Sequence, residues 1–87
     1  MPEISRFFGI IINMYGDDHN PPHFHVQYND CRAMIAIDSG EILQGALPAK
    51  QLKYIQVWAD IHKAELLDNF LKLNNDIKTF SKIKPLE

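Results

Sequence analysis

Residues 23–38 hold two alternating runs, His23 to Tyr28 and Cys31 to Asp38, separated only by Asn29-Asp30. A period of two places successive side chains on opposite faces of a strand. A two-residue Asn-Asp connection tolerates the positive φ that a tight hairpin needs. The pairing that follows sets Tyr28 against Cys31, Val26 against Ala33 and Phe24 against Ile35. These residues and Ile37 then share one apolar face, while the other face carries His23, His25, Gln27, Arg32, Met34 and Ala36. A slip of one residue would bury the histidines and expose the aromatics, so the pattern specifies its own register. The same alternation puts Leu43 on the histidine face beside Ala36, leaving that face neither fully wet nor fully buried.

The rest of the chain supplies partners for this hairpin. Phe7 to Tyr15 is rich in β-branched and aromatic residues and reads as one strand ending at Gly16. Gly16 to Pro22 is a loop of turn formers, and Ser39-Gly40 leads into a short strand, Glu41 to Gly45. After Leu47-Pro48, the residues Leu52, Ile55, Trp58 or Ala59, Leu66, Phe70 and Leu73 recur at helical spacing to about Asn74 or Asn75. His62 marks the point where one helix can divide into two. Ile83, Pro85 and Leu86 in the tail, Ile77 to Glu87, are placed to dock on the body. The predicted fold is a single α+β domain over residues 1–87. It has a three- or four-stranded antiparallel β-meander, its apolar face packed against a C-terminal helix or helix pair.

Size and charge narrow the function classes. A chain of 87 residues leaves room for one core and buries only about 60–65% of its unfolded surface, so a partner or a homo-oligomer would add stability. The longest apolar stretch, Phe7 to Ile12, falls far short of the roughly 20 residues that span a bilayer, so no membrane segment is predicted. No basic stretch followed by an apolar one stands at Met1, and Cys31 is the single cysteine; both predict a cytoplasmic protein. A net charge of −2 argues against non-specific attraction to nucleic acid. The basic tail, with Lys72, Lys78, Lys82 and Lys84, reads as a solvated surface.

Chemistry concentrates at residues 17–25, Asp-Asp-His-Asn-Pro-Pro-His-Phe-His, which hold three of the four histidines. Imidazole titrates near neutral pH and is the commonest protein metal ligand. His23 and His25, two apart on a strand, point to the same side. His19, folded back over Pro21-Pro22, would complete a three-histidine set for a divalent metal such as zinc, with Asp17 or Asp18 ligating or orienting an imidazole. Without metal, His19, His23 and His25 are candidate acid–base groups for phosphodiester cleavage, with Arg32 on the same face to hold a phosphate. In a third reading the histidines hydrogen-bond locally and the face docks a protein. All three readings are open on the residues alone. Tyr15 enters the same pocket or closes the core. His62 faces Glu65 three residues on, or completes the site. Cys31 and Trp58 read as core, and no glycine-rich phosphate loop or serine-centred elbow is present.

Several stretches together carry a resemblance: Met-Pro-Glu-Ile-Ser-Arg-Phe-Phe-Gly-Ile-Ile-Ile at the start, the histidine run, Leu47-Pro48, Trp58 with His62, and Lys-Ile-Lys-Pro-Leu at the end. The chain resembles a family of small bacterial proteins of unknown function marked by the Pro-Pro-His-Phe-His motif, and the resemblance spans nearly its whole length. The family pattern falls on Asp18, His19, Pro21, Pro22, His23 and His25, then on Trp58, His62 and Glu65. Where family members commonly carry a tryptophan after the helical asparagine, this chain has Phe70 after Asn69, which keeps an aromatic anchor without its N–H donor. Members are often encoded beside a second small protein in a layout like a toxin–antitoxin pair. The resemblance therefore implies a toxin-like or regulatory role beside a small co-encoded, antitoxin-like partner; for a catalytic chain, the histidines make cleavage of RNA the first expectation. The alternatives are a non-catalytic adaptor or regulator that binds a small protein, and a small metal-binding protein.

Overall fold

The computed structural model describes residues 3–16, 20–75 and 79–86. Its fold is α+β: five strands in the order β1-β2-β3-β4-β5, all antiparallel, followed by two helices. The strands are β1 (Glu3–Phe7), β2 (Ile10–Asn13), β3 (His23–Tyr28), β4 (Cys31–Ala36) and β5 (Ile42–Gly45); the helices are α1 (Ala49–Ile61) and α2 (Lys63–Leu73).

The central hairpin has the register that alternation predicts. Phe24 lies opposite Ile35, Val26 opposite Ala33 and Tyr28 opposite Cys31. Asn29 takes the positive φ, at 51°. Phe24, Val26, Ala33 and Ile35 are buried, while Tyr28 is half-buried.

The first 15 residues depart from the single strand expected of Phe7 to Tyr15. Phe8 (φ 50°) and Gly9 (φ 76°) turn the chain left-handed between the paired residues Phe7 and Ile10. The result is a second tight hairpin and a fifth strand. A bulky aromatic is an uncommon occupant of left-handed backbone, so the apolar run disguised the turn and Gly9 was its one signal. A second correction concerns β5. Alternation places Leu43 beside Ala36, but the register shifts between Met34 and Ile35: Ile42 lies opposite Ile35 and Gln44 opposite Met34, with Leu43 at the irregularity between them. A bulge of this kind moves one residue out of the alternation, and no local sequence pattern announced it.

The helices cover one face of the sheet. Ile55, Trp58 and Ala59 of α1 and Leu66, Phe70 and Leu73 of α2 join Ile4, Ile10, Ile12, Phe24, Val26 and Ile35 in one contiguous core. His62 separates the helices with φ −107° and ψ 23°, outside the helical well. Hydrogen bonds nevertheless continue across it, from His62 N–H to the Trp58 carbonyl and from Leu66 N–H to the His62 carbonyl. The chain bends there without a loop.

The tail closes the fold at the β1 edge. Ile83 is buried, and its N–H donates to the Ile4 carbonyl (2.8 Å). Asn69, 1% exposed, pairs both halves of its amide with the Ser81 backbone: Nδ2 donates to the carbonyl at 2.7 Å and Oδ1 accepts from the N–H at 2.8 Å. Trp58 Nε1 donates to the Lys84 carbonyl (2.9 Å). A buried amide left without partners costs about 1–3 kcal/mol. Asn69→Ala strips the Ser81 N–H and carbonyl of theirs, and it should lower unfolding free energy in urea by about that amount. Hydrogen exchange at Ser81 and Ile83 should accelerate more than at Phe24.

Candidate functional site

The pleat decides which side chains meet on the face opposite the helices. Asn13 of β2, His25 of β3, Met34 of β4 and Gln44 of β5 stand in one row across four strands. Ile11, Gln27 and Arg32 stand in the next. Cross-strand neighbours on one face lie about 5 Å apart, so the two rows form one continuous surface, polar except at Ile11 and Met34. Tyr15, just beyond β2, stands with its ring edge-on to His25 at 4.5 Å between centroids.

These residues line a cavity of about 350 Å³, bounded by Asn13, Tyr15, His25, Gln27, Arg32, Met34, Gln44 and the backbone around Gly45. Among the described residues that line it, Arg32 is the one fixed charge and none is a carboxylate. The Arg32 guanidinium donates to Gln27 Oε1 (3.2 Å). Three side-chain amides, an imidazole and a phenol surround that cation, so every polar lining group can donate a hydrogen bond. Tyr15, His25 and Met34 add apolar surface. A second concavity of about 340 Å³ carries charges of both signs, Asp38, Asp60 and Lys63.

His23 sits one pleat further along β3. It is 4% exposed, packs against Phe70 of α2 (5.9 Å between centroids), and its Nδ1 lies 2.8 Å from the Pro21 carbonyl. That distance fixes a proton on Nδ1, since a carbonyl can only accept. His25 is half-buried, with its ring centroid 5.2 Å from that of His23. The two imidazoles therefore differ in kind: His25 lines the cavity, and His23 is clamped between it and the core.

The remaining predicted site residues divide clearly. Tyr15 and Arg32 join His25 in the cavity. His62 pairs with Glu65 (2.7 Å) and packs on Trp58, and it is not among the cavity residues. Asp17, Asp18 and His19 lie outside the described residues. Among the described residues no group of three or more His, Cys, Asp or Glu side chains is placed to hold a metal ion. Asn13, Gln44 and Gly45 were missed by sequence reading. Asn13 hides in an apolar run, and Gln44 reaches the row only through the β4–β5 bulge.

Gly45 is a structural requirement of the site. Its φ is +85°, and a Cβ there would collide with the Arg32 carbonyl oxygen, which accepts from the Ala46 N–H at 3.1 Å. Only glycine meets both demands without strain. Gly45→Ala should lower stability by about 1–3 kcal/mol in chemical denaturation. It should also shift the Arg32 and Gln44 amide resonances while leaving those of α2 in place.

Residues 9–70 match the profile of a family described as Domain of unknown function (DUF4160), and the chain belongs to that family. The matched span runs from the Phe8-Gly9 turn to Phe70, so it holds all of the cavity; β1 and the docked tail lie outside it. No curated protein and no solved structure matches the chain. No helix among the described residues is long and apolar enough to cross a membrane.

Proposed function

We propose that this chain is the toxin-like member of a bacterial toxin–antitoxin-type pair, acting on RNA at the cavity of Tyr15, His25 and Arg32. One observation carries the reading: in a chain of net charge −2, the described cavity residues bear a single fixed charge, the Arg32 cation, among polar groups that all donate hydrogen bonds. That local field suits a phosphodiester, which the chain as a whole would repel. The flat rings of Tyr15 and His25 suit an unstacked base, the form in which single-stranded RNA is usually read.

The chemistry asked of the site is transfer of two protons. The ribose 2′-hydroxyl attacks phosphorus and loses its proton to a base, and the departing 5′-oxygen gains one from an acid. His25 is the base in this reading, and Arg32 binds the phosphate oxygens in charge-assisted fashion. The Tyr15 hydroxyl, on the cavity wall, returns a proton to the 5′-oxygen in this reading, and His19 is a candidate for that role from the sequence alone. His23 is a positioning residue, its ring held by Pro21 and Phe70 and packed against His25.

Expressed alone, the chain should inhibit growth, and a small co-encoded protein should relieve the inhibition. The purified chain should cleave single-stranded RNA. His25→Ala should lower the cleavage rate by about 10²–10⁴-fold, the usual worth of a general base. Arg32→Ala should raise KM more than it lowers kcat. Both variants should unfold at the parent temperature, because neither side chain belongs to the buried core. His23→Phe retains an aromatic ring against Phe70 and should lower kcat less than His25→Ala. Absence of both RNA cleavage and a growth defect would replace this reading with the adaptor. A growth defect that survives His25→Ala would move the site elsewhere on the chain.

A further inference from the structure

The outer face of α1 sets two large exposed apolar residues, Val57 and Ile61, among Lys50, Lys53, Gln56 and Asp60, where a solvated helix is ordinarily polar. Tyr54, half-buried against the core, and the exposed Val57 and Ile61 follow one another at three- and four-residue spacing, so they form one stripe running off the core boundary. Val57 is 53% exposed and Ile61 62%. Phe8, also 53% exposed, extends the stripe from the β1–β2 turn, its ring 5.1 Å from that of Tyr54. Phe8 holds left-handed backbone at φ 50°, a conformation that asparagine or glycine adopts far more readily. A strained turn thus presents a phenyl ring to solvent.

The charges beside the stripe are reversed with respect to the helix. Carboxylates favour a helix N-terminus and cations a C-terminus, yet α1 has no acidic residue in its first turn and no basic one in its last. Lys50 and Lys53 stand instead in its N-terminal half, and Asp60 stands near its end. None of the ion pairs among the described residues uses any of the three. Lys53 and Asp60 are seven residues apart, so they flank the stripe on the same side, with Val57 between them.

We infer that this face of α1 is a two-fold self-association surface, on which α1 of a second copy lies antiparallel with the axis near Val57. In that arrangement the same flank of each helix faces itself in reverse order, so Lys53 of each copy lies across from Asp60 of the other. The reversed charges become two intermolecular pairs, and each helix dipole runs against its neighbour's. Tyr54, Val57, Ile61 and Phe8 fill the centre. An isologous contact requires such self-complementarity about one point, and Lys53 and Asp60 supply it on either side of Val57; an unrelated partner would not. A helix of 13 residues is about 20 Å long, and one such face falls short of the roughly 800 Å² per subunit of a standard stable interface. The dimer is therefore a small contact whose population depends on protein concentration. The contact lies on the helical side of the sheet and leaves the Tyr15–His25–Arg32 cavity of each copy open, so it stands or falls apart from the RNA reading.

Sedimentation equilibrium of the full chain from about 1 µM to 1 mM is the test. A monomer–dimer equilibrium is expected, and Val57→Glu with Ile61→Glu should shift it to monomer. Both residues are more than half exposed, so far-UV circular dichroism should be unchanged. Lys53→Asp should raise the dimer Kd about 10-fold or more, and adding Asp60→Lys in the same chain should restore it. Phe8→Asn should weaken the dimer without lowering the monomer's unfolding temperature. A chain that remains monomeric at 1 mM overturns the proposal. So does a dimer indifferent to the two glutamates, or a charge swap that does not restore what Lys53→Asp removes. Should the double glutamate variant fail to fold, the charge swap alone decides the matter.

Discussion

The indole of Trp58 is the contact on which the other elements depend. Fully buried on α1, it lies 5.6 Å from Phe7 of β1, 5.8 Å from Phe24 of β3 and 5.7 Å from His62 at the helix junction. Its N–H reaches the Lys84 carbonyl of the tail. One side chain therefore joins the first hairpin, the central hairpin, the helical bend and the chain's last described segment. Aromatic contacts of this tilted and edge-on kind add to the large area such rings bury. A domain of this size has little surplus stability to spread over independent contacts, so concentrating four junctions on one residue suits its scale.

The candidate site is a consequence of that one-sided packing. The sheet commits Phe24, Val26, Ala33 and Ile35 to Trp58 and the helices, and alternation then delivers His25, Gln27, Arg32 and Met34 to the other face. Because β2 to β5 contribute one row in register, the cavity rests on strands rather than on a loop. A rigid backing of this kind holds side-chain geometry more closely than a loop does. His23 shows the limit of the two-face description. Where β3 begins, Phe70 reaches round the sheet and buries the ring, making one member of the His-x-His pair a support for the other.

The edges of the sheet are managed differently. At β1, Ile83 docks on Ile4 and Asn69 fastens Ser81, so the tail occupies the edge that would otherwise present unpaired backbone. At β5, brevity, a bulge and a left-handed Gly45 blunt the other edge. The same bulge brings Gln44 into the cavity row, so a device that limits edge pairing also shapes the site.

Much of this was legible in the residues. The central hairpin, its register, the two faces and the helical spacing of the C-terminal core residues follow from period and turn chemistry. These are local signals, and a strand's alternation leaves only one register that buries its aromatics. A break at His62, a His62–Glu65 contact and the docking of Ile83 were options the sequence offered without deciding. Tertiary structure alone decided the rest. The Phe8-Gly9 turn was hidden because Phe8 accepts an unfavourable backbone beside Tyr54, a residue 46 positions away. Gln44 and Asn13 entered the cavity through pairing across four strands. The structural role of Asn69 comes from its amide meeting the Ser81 backbone twelve residues on, which no local pattern marks. The different environments of His23 and His25 come from Phe70 and Tyr15, which two identical side chains on one strand could not reveal. Periodicity reports which face a residue takes, but only the packed chain determines what stands opposite it.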